Sequence, residues 1–245
     1  MDALMSLFAT SIYHYWQSSL SALEGLREDG GFSVRVDPGL EDQSRLMLLR
    51  TPGGSQAVLT PGLAQTLGLA EGPVDTEAAF LARLEQAGIR LNGADHVFYY
   101  PRQRHAELLR DTALGDTRAL SAADEQRFAR FQSSASAEDL DNAYVELDHW
   151  AVFGAFEQDR LVAAASMYAW DGSPLADLGV LTLEAFRGRG HARRLVRAIC
   201  RHALEQGQEP QYRCQVDNLA SVALARAAGL ELFGQWLVIH PDCEI

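Results

Sequence analysis

Lysine is missing from this chain of 245 residues, in which all 21 basic residues are arginine. That absence excludes Schiff-base chemistry and the lysine of a P-loop, and it reads as compositional bias rather than functional demand. Cysteine is scarce: Cys200, Cys214 and Cys243 are odd in number and show no CxxC spacing. Neither a disulfide framework nor a zinc site is expected from them. No apolar run approaches the roughly 20 residues of a membrane span. The first residues, from Met1 to Phe8, lack the basic region that opens a secretory signal. A reduced, cytoplasmic protein with no metal and no membrane partner is therefore expected. Positive charge is also short, with 21 basic against 33 acidic residues and a net charge of −12. Broad nucleic-acid binding needs a basic footprint and is not expected. The same acidity gives a weak preference for a cationic or amine-bearing substrate.

What is present suits a folded globular protein of one large or two small domains, with 47% hydrophobic and 22% charged residues. Apolar residues at helical spacing predict a helix over about 10–27, through Ile12, Tyr15, Trp16, Leu20, Leu23 and Leu26. Strands are predicted at 32–36, 45–50, 56–60 and 97–100, with helices from Pro61 to Leu67 and from Asp75 to Ala87. This first block, residues 1–112, is a small α/β unit in which the Phe98, Tyr99 and Tyr100 cluster reads as core.

A second unit, 113–245, opens with a short strand at 117–120. Two helices follow, the first capped at Ser121 and carrying Phe128 and Phe131, the second over 137–143. Strands at 150–156, 161–170 and 176–183 follow as antiparallel neighbours. A long helix then places Ala192, Leu195, Val196, Ile199, Cys200 and Ala203 on one stripe and ends at Gly207. A strand at 211–216, a helix capped by Asp217 or Asn218 and closed by Gly229, and a final strand or strand pair at 230–239 complete the chain.

The stretch from Val180 to Ala192 joins a strand to that long helix through a turn rich in Arg and Gly. Such a junction aims backbone N–H groups and a helix dipole at whatever lies before it. Residues 185–204 add Arg187, Arg189, Arg193, Arg194, Arg197 and Arg201 and no acid, which points to a phosphate-bearing ligand. Glycines at 188 and 190 let the backbone approach such a group closely, and the N–H groups of 189–193 make an anion nest.

From about residue 117 onward the chain resembles the GNAT superfamily, the Gcn5-related N-acetyltransferases. Their Arg/Gln-x-x-Gly-x-Gly/Ala signature is matched by Arg187, Gly190 and Ala192, with Gly188 and Arg189 between. Their later Asn-x-x-Ala/Ser-x-x-Leu-x-x-x-x-Gly-Phe/Leu pattern is matched by Asn218, Ser221, Leu224, Gly229 and Leu230. Either motif alone is weak; the two, separated by a helix and a strand, are fairly specific. Thr182, Ala192 and the Asp217-Asn218-x-x-Ser221 block look closest to the glycine-N-acyltransferase-like and zwittermicin-resistance-like subgroup. The resemblance covers about half the chain, so the N-terminal unit is either an addition or a degenerate copy of the same fold.

The resemblance implies a mixed α/β (α+β) GNAT fold: a mostly antiparallel central sheet flanked by helices, with the small α/β unit before it. It implies acetyl-CoA as co-substrate, with Val180, Leu181 and Thr182 on the pantetheine arm through a strand that splays from its neighbour. Arg187, Gly188, Arg189, Gly190, His191, Ala192 and Arg193 would hold the pyrophosphate, and Asn218 and Ser221 would face the pantetheine or the acceptor. The acceptor is expected to be a small amine, attacked in a ternary complex.

The chain departs from the family at Ala225, where many members carry a Tyr that protonates the leaving thiolate. Ser221, Tyr212, Tyr168 or a water could serve instead, or the thiolate leaves unassisted. For the base, Glu146, Asp148, His149 and Asp177 border the expected site, and Glu146, Asp177 and Ser221 stand as the catalytic candidates. Another acyl group, an amino-acid acceptor, or a non-catalytic acyl-CoA sensor are the alternatives, and a homodimer through the last strand stays open.

Overall fold

Among the described residues, both faces of one ten-stranded sheet are covered by helices, and the sheet draws strands from both halves of the chain. The computed structural model describes residues 7–20, 31–40, 45–72, 74–111 and 115–243. In the first half these hold α1 (Thr10–Leu20), β1 (Phe32–Val36), β2 (Leu46–Thr51), β3 (Gly54–Leu59), α2 (Pro61–Thr66), α3 (Glu77–Gln86), β4 (Asp95–Tyr99) and α4 (His105–Arg110). In the second half come β5 (Thr117–Ala119), α5 (Glu125–Gln132), α6 (Ala137–Ala143), β6 (Ala151–Glu157), β7 (Arg160–Ala169), β8 (Leu175–Thr182), α7 (His191–Glu205), β9 (Glu209–Gln215), α8 (Leu219–Ala228) and β10 (Glu231–Val238).

The sheet order is β1-β3-β2-β10-β4-β9-β8-β7-β6-β5. Among the described residues only β1 with β3 and β8 with β9 are parallel. Because both faces are covered, strands read as continuous apolar runs rather than alternating ones. In β2, Leu46 and Leu48 join one core with α2 and α3, while Met47 and Leu49 join another with Ile12 and Trp16 of α1. Over the second half, α7 and α8 cover one face through Leu195, Ile199, Val222 and Ala225, and Phe128 and Phe131 of α5 cover the other.

Three local features bear on the sequence expectation. The helix predicted over 10–27 is present as α1, and its remainder lies outside the described residues. The short helix α4 was not foreseen; it follows Pro101, carries Glu107 in its first turn and buries Leu108. The stretch 230–239 is a single strand with a bulge between Leu232 and Gly234. A Cβ at Gly234 would stand 2.4 Å from the Arg50 carbonyl oxygen, so β2 can approach only a glycine there.

Two topological facts position the candidate site. First, β4 lies between β9 and β10, so one sheet runs across the division at 112/113. Second, β8 and β9 pair only from Leu175↔Glu209 to Leu178↔Tyr212. Beyond that point β8 stays with β7 as far as Thr182↔Ala163, and β9 stays with β4 as far as Gln215↔Asp95. The two strands part as a fork.

Gly179 is the first residue of β8 past the fork. A Cβ there would fall 1.9 Å from the carbonyl oxygen of Ala143, at the end of α6. Helix α6 ends on Tyr144 in the left-handed region (φ 45°), which brings its last turn down on the strand. Gly179→Ala is expected to cost about 1–3 kcal/mol by overpacking, read as a fall in Tm of roughly 2–4 °C per kcal/mol.

Candidate functional site

At the mouth of the fork stands the turn 187–190. Gly188 (φ 77°) and Gly190 (φ 80°) both take left-handed conformations, and Gly190 is the N-terminal cap of α7 without a side-chain cap bond. The first bonded amide past the turn is Arg194, whose N–H donates to Gly190 O at 3.2 Å. Among the described residues no turn or cap bond uses the N–H groups from Gly188 to Arg193. A row of unsatisfied donors at the start of a 15-residue helix favours an anion. No atom approaches within 4 Å of a Cβ built on Gly188, so this backbone is open to a ligand. Thr182 Oγ1, on the adjacent limb of the fork, is buried and without a partner among the described residues.

The arginines contribute less field than their number suggests. Arg187 is ion-paired with Asp139 at 2.8 Å and also donates to Thr182 O at 3.1 Å, bracing the turn against β8. Arg189 pairs with Glu157 at 3.0 Å, Arg197 with Asp111 at 2.6 Å, and Arg201 with Glu205 at 3.3 Å. His191 is buried, with Nε2 at 2.7 Å from Glu157 and Nδ1 at 3.0 Å from Arg194. The His191 contact and Arg189 hold the Glu157 carboxyl below its ordinary range. His191 can therefore offer a ligand only its backbone. Arg193 is exposed and has no ion pair among the described residues.

On the limb itself Leu181 is buried towards α5, while Val180 packs partly against the α7 core. Side chains serve the core while the backbone edge facing β9 is unpaired. Asn218 caps α8, its side chain accepting from Ser221 N–H at 3.0 Å. Tyr212, the last residue of β9 paired to β8, is buried, and burial pushes its hydroxyl up to about 12, with Ser221 opposing that shift. Ala225, on the core face of α8, is fully buried. Burial likewise pushes the Cys214 thiol up to about 12.

The face of the fork opposite α7 carries a polar network. Asp177 is 4% exposed. Its oxygens accept from Tyr168 Oη at 2.8 Å, from Gln211 Nε2 at 2.9 Å, and from Arg213 Nη2 at 2.8 Å and Nε at 3.1 Å. Arg213 Nη1 lies 3.2 Å from Asp95 of β4, and its guanidinium sits over Trp170 at 4.3 Å and Trp236 at 5.3 Å. Tyr99 donates to Gln211 and accepts from Trp16 Nε1 at 2.8 Å, tying α1 to the network.

Beside it, His149 Nδ1 lies 2.8 Å from Ser166 Oγ, which also accepts from Glu146 N–H at 3.3 Å. Burial lowers the imidazole below its ordinary value, against the opposing pull of Asp148 and Glu146. The rings of Tyr144 and Tyr168 flank it at 5.0 and 5.2 Å. Glu146 accepts from Gln132 Nε2 at 3.2 Å.

Ser221 thus lies on the α8 side of the fork, and Glu146 and Asp177 lie on the other, with Asp177 tied into the network. Sequence reasoning missed Tyr144, Ser166, Arg213, Trp170, Trp236 and Asp95. The available signal was polarity at Ser166 and Asp177 inside otherwise apolar strands. Two surface concavities, of about 360 Å³ beside Arg83 and about 350 Å³ beside Arg127, lie elsewhere.

Residues 118–230 match the profile of the acetyltransferase (GNAT) family. An acetyltransferase from the GNAT family of Colwellia psychrerythraea is similar in fold, with a TM-score of 0.52 and 18% identity over 75% of each chain. A GNAT-family chain from Novosphingobium aromaticivorans aligns at a TM-score of 0.45 and 17% identity, over 62% of this chain and 65% of that one. The alignment therefore spans a little under two thirds of that relative. A conserved protein of unknown function from Staphylococcus epidermidis aligns over 91% of this chain and 98% of its own, at a TM-score of 0.48 and 12% identity. No curated protein matches the chain. Over residues 118–230, a little under half its length, the chain thus carries the sequence pattern of the acetyltransferase (GNAT) family, on a mixed α/β fold of the GNAT type.

Proposed function

We propose that the chain is an N-acetyltransferase that takes an acetyl group from acetyl-CoA and passes it directly to a primary amine, both being bound at once. The observation that carries this reading is the fork between β8 and β9. It opens on one side to the free N–H row of Gly188 to Arg193, and on the other to His149 and its aromatic neighbours.

The residues present fit the co-substrate. The left-handed glycines and unsatisfied amides suit its pyrophosphate, and the unpaired edge of Val180, Leu181 and Thr182 suits its pantetheine arm. When bound, acetyl-CoA supplies an activated acetyl group. A strand N–H facing the fork can donate to the acetyl carbonyl oxygen, a contribution of about 3 kcal/mol by analogy with oxyanion-hole donors. His149, with Nδ1–H donating to Ser166 Oγ, keeps the Nε2 lone pair for the proton of the incoming ammonium. Its lowered pKa keeps it neutral at pH 7. The Tyr212–Ser221 pair stands at the base of the fork, where it can return a proton to the leaving thiolate in place of a side chain at Ala225. The raised Cys214 thiol disfavours an acyl-cysteine route. In this reading residues 113–245 carry the chemistry, and the unit 1–112 completes the sheet with β4.

Ala225 favours a second reading, an acyl-CoA-binding sensor without turnover. The test is CoA release on mixing acetyl-CoA with a panel of amines. Release with at least one amine supports the transferase. Tight acetyl-CoA binding by calorimetry, beside no release with any amine, supports the sensor.

A further inference from the structure

We propose that the row of aromatic rings beside His149 is the amine site and that it takes a linear cationic amine bearing no carboxylate. The proposal rests on the acetyl-transfer reading and adds the class of acceptor.

Five rings form a row along this face: Tyr144 to His149 at 5.0 Å, His149 to Tyr168 at 5.2 Å, Tyr168 to Trp170 at 6.4 Å, and Trp170 to Trp236 at 5.7 Å. Apart from Tyr144, which is 55% exposed, these side chains are half-buried, and Trp170 and Trp236 are backed by the core that holds Ile12 and Trp16 of α1. The row runs from β7 to β10, strands that are separated in the sheet by β8, β9 and β4. Neighbouring strands lie about 4.8 Å apart, so the row suits an elongated ligand rather than a compact one. Ring faces attract ammonium groups.

Charge points the same way. The guanidinium in the row, Arg213, is answered by two carboxylates, Asp177 and Asp95, and is covered by the indoles of Trp170 and Trp236. It is poorly placed to receive a substrate carboxylate. With Glu146 and the exposed Asp148 nearby, the charged groups beside the row are net negative. Asp95 belongs to β4, and Tyr15 of α1 accepts from Trp170 Nε1 at 2.6 Å. The N-terminal unit therefore backs the far end of the row, which in this proposal gives it a role in choosing the acceptor.

The probes are 1,4-diaminobutane and spermidine against ornithine, which has the same amine-bearing chain plus a carboxylate. Calorimetric binding to the protein, with and without acetyl-CoA, is read beside steady-state rates. The diamine is expected to bind, and its kcat/KM should exceed that of ornithine by about 10-fold or more. Trp236→Leu and, independently, Asp95→Asn should raise its KM by about 10-fold with kcat and acetyl-CoA affinity little changed. Ornithine matching the diamine, no diamine binding, or an unchanged KM in both folded variants would overturn the proposal. Loss of the underlying reading shows differently, as a failure to bind acetyl-CoA while diamine binding is still scored.

Discussion

His149→Gln is expected to lower kcat by about 10²–10⁴-fold, the range for removing a positioned general base, while leaving acetyl-CoA affinity unchanged. The imidazole is held by Ser166 through Nδ1 and enclosed by the rings of Tyr144 and Tyr168, so its position is fixed before an amine arrives. Its pKa lies below the ordinary 6.5 because burial disfavours the imidazolium, with Asp148 and Glu146 opposing that shift. In the proposed mechanism the neutral form is the base, so the rate should rise with pH through a midpoint below 6.5 and then level off. Asp148→Asn removes an opposing charge and should move that midpoint lower still. His149→Gln should abolish the limb. A pH–rate profile with the same limb in the variant would assign the base elsewhere, with Glu146 the next candidate.

Asp177→Ala is expected to destabilise the fold by about 3–5 kcal/mol, the range for breaking a buried ion pair by removing one partner. The loss is large because Asp177 is 4% exposed and its removal strands three donors at once: Arg213, Gln211 and Tyr168. Arg213 would keep only Asp95 and its two indole contacts. The paired replacement Asp177→Leu with Arg213→Met should recover most of the loss, since two apolar groups leave no unpaired charge. Urea unfolding with an unchanged m-value measures both. A single variant within about 1 kcal/mol of the wild type would show that the network is solvated rather than structural.

Local signals in the sequence reached far into this structure. The turn 187–190 was legible because a row of glycines before a clean helical stripe has few local solutions, and both glycines are left-handed. The cap at Asn218 and the stop at Gly229 were legible for the same reason. Placement between distant elements was not. The apolar run 97–100 shows a strand, but nothing in it shows that β9 and β10 would be its neighbours. The six arginines of 185–204 looked like a positive field because their partners Asp139, Glu157 and Asp111 lie far away in sequence. The Asp177–Arg213 network was hidden likewise, since its members come from α1, β4, β7, β8 and β9. His149 was among the candidate bases by position, and its burial and its Ser166 partner appear only in the fold.

The central claim is that the fork and the glycine turn form one acyl-CoA site. Calorimetric titration of acetyl-CoA into the wild type and into Gly190→Asp, with both melting profiles recorded, tests it most directly. Asp tolerates the left-handed conformation better than most residues, so the variant should stay folded while placing a carboxylate among the free N–H groups. The expected result is one acetyl-CoA bound per wild-type chain, and affinity weakened by about 100-fold, roughly 2.7 kcal/mol, in the variant. No binding by the wild type, or equal affinity in a folded variant, would contradict the site.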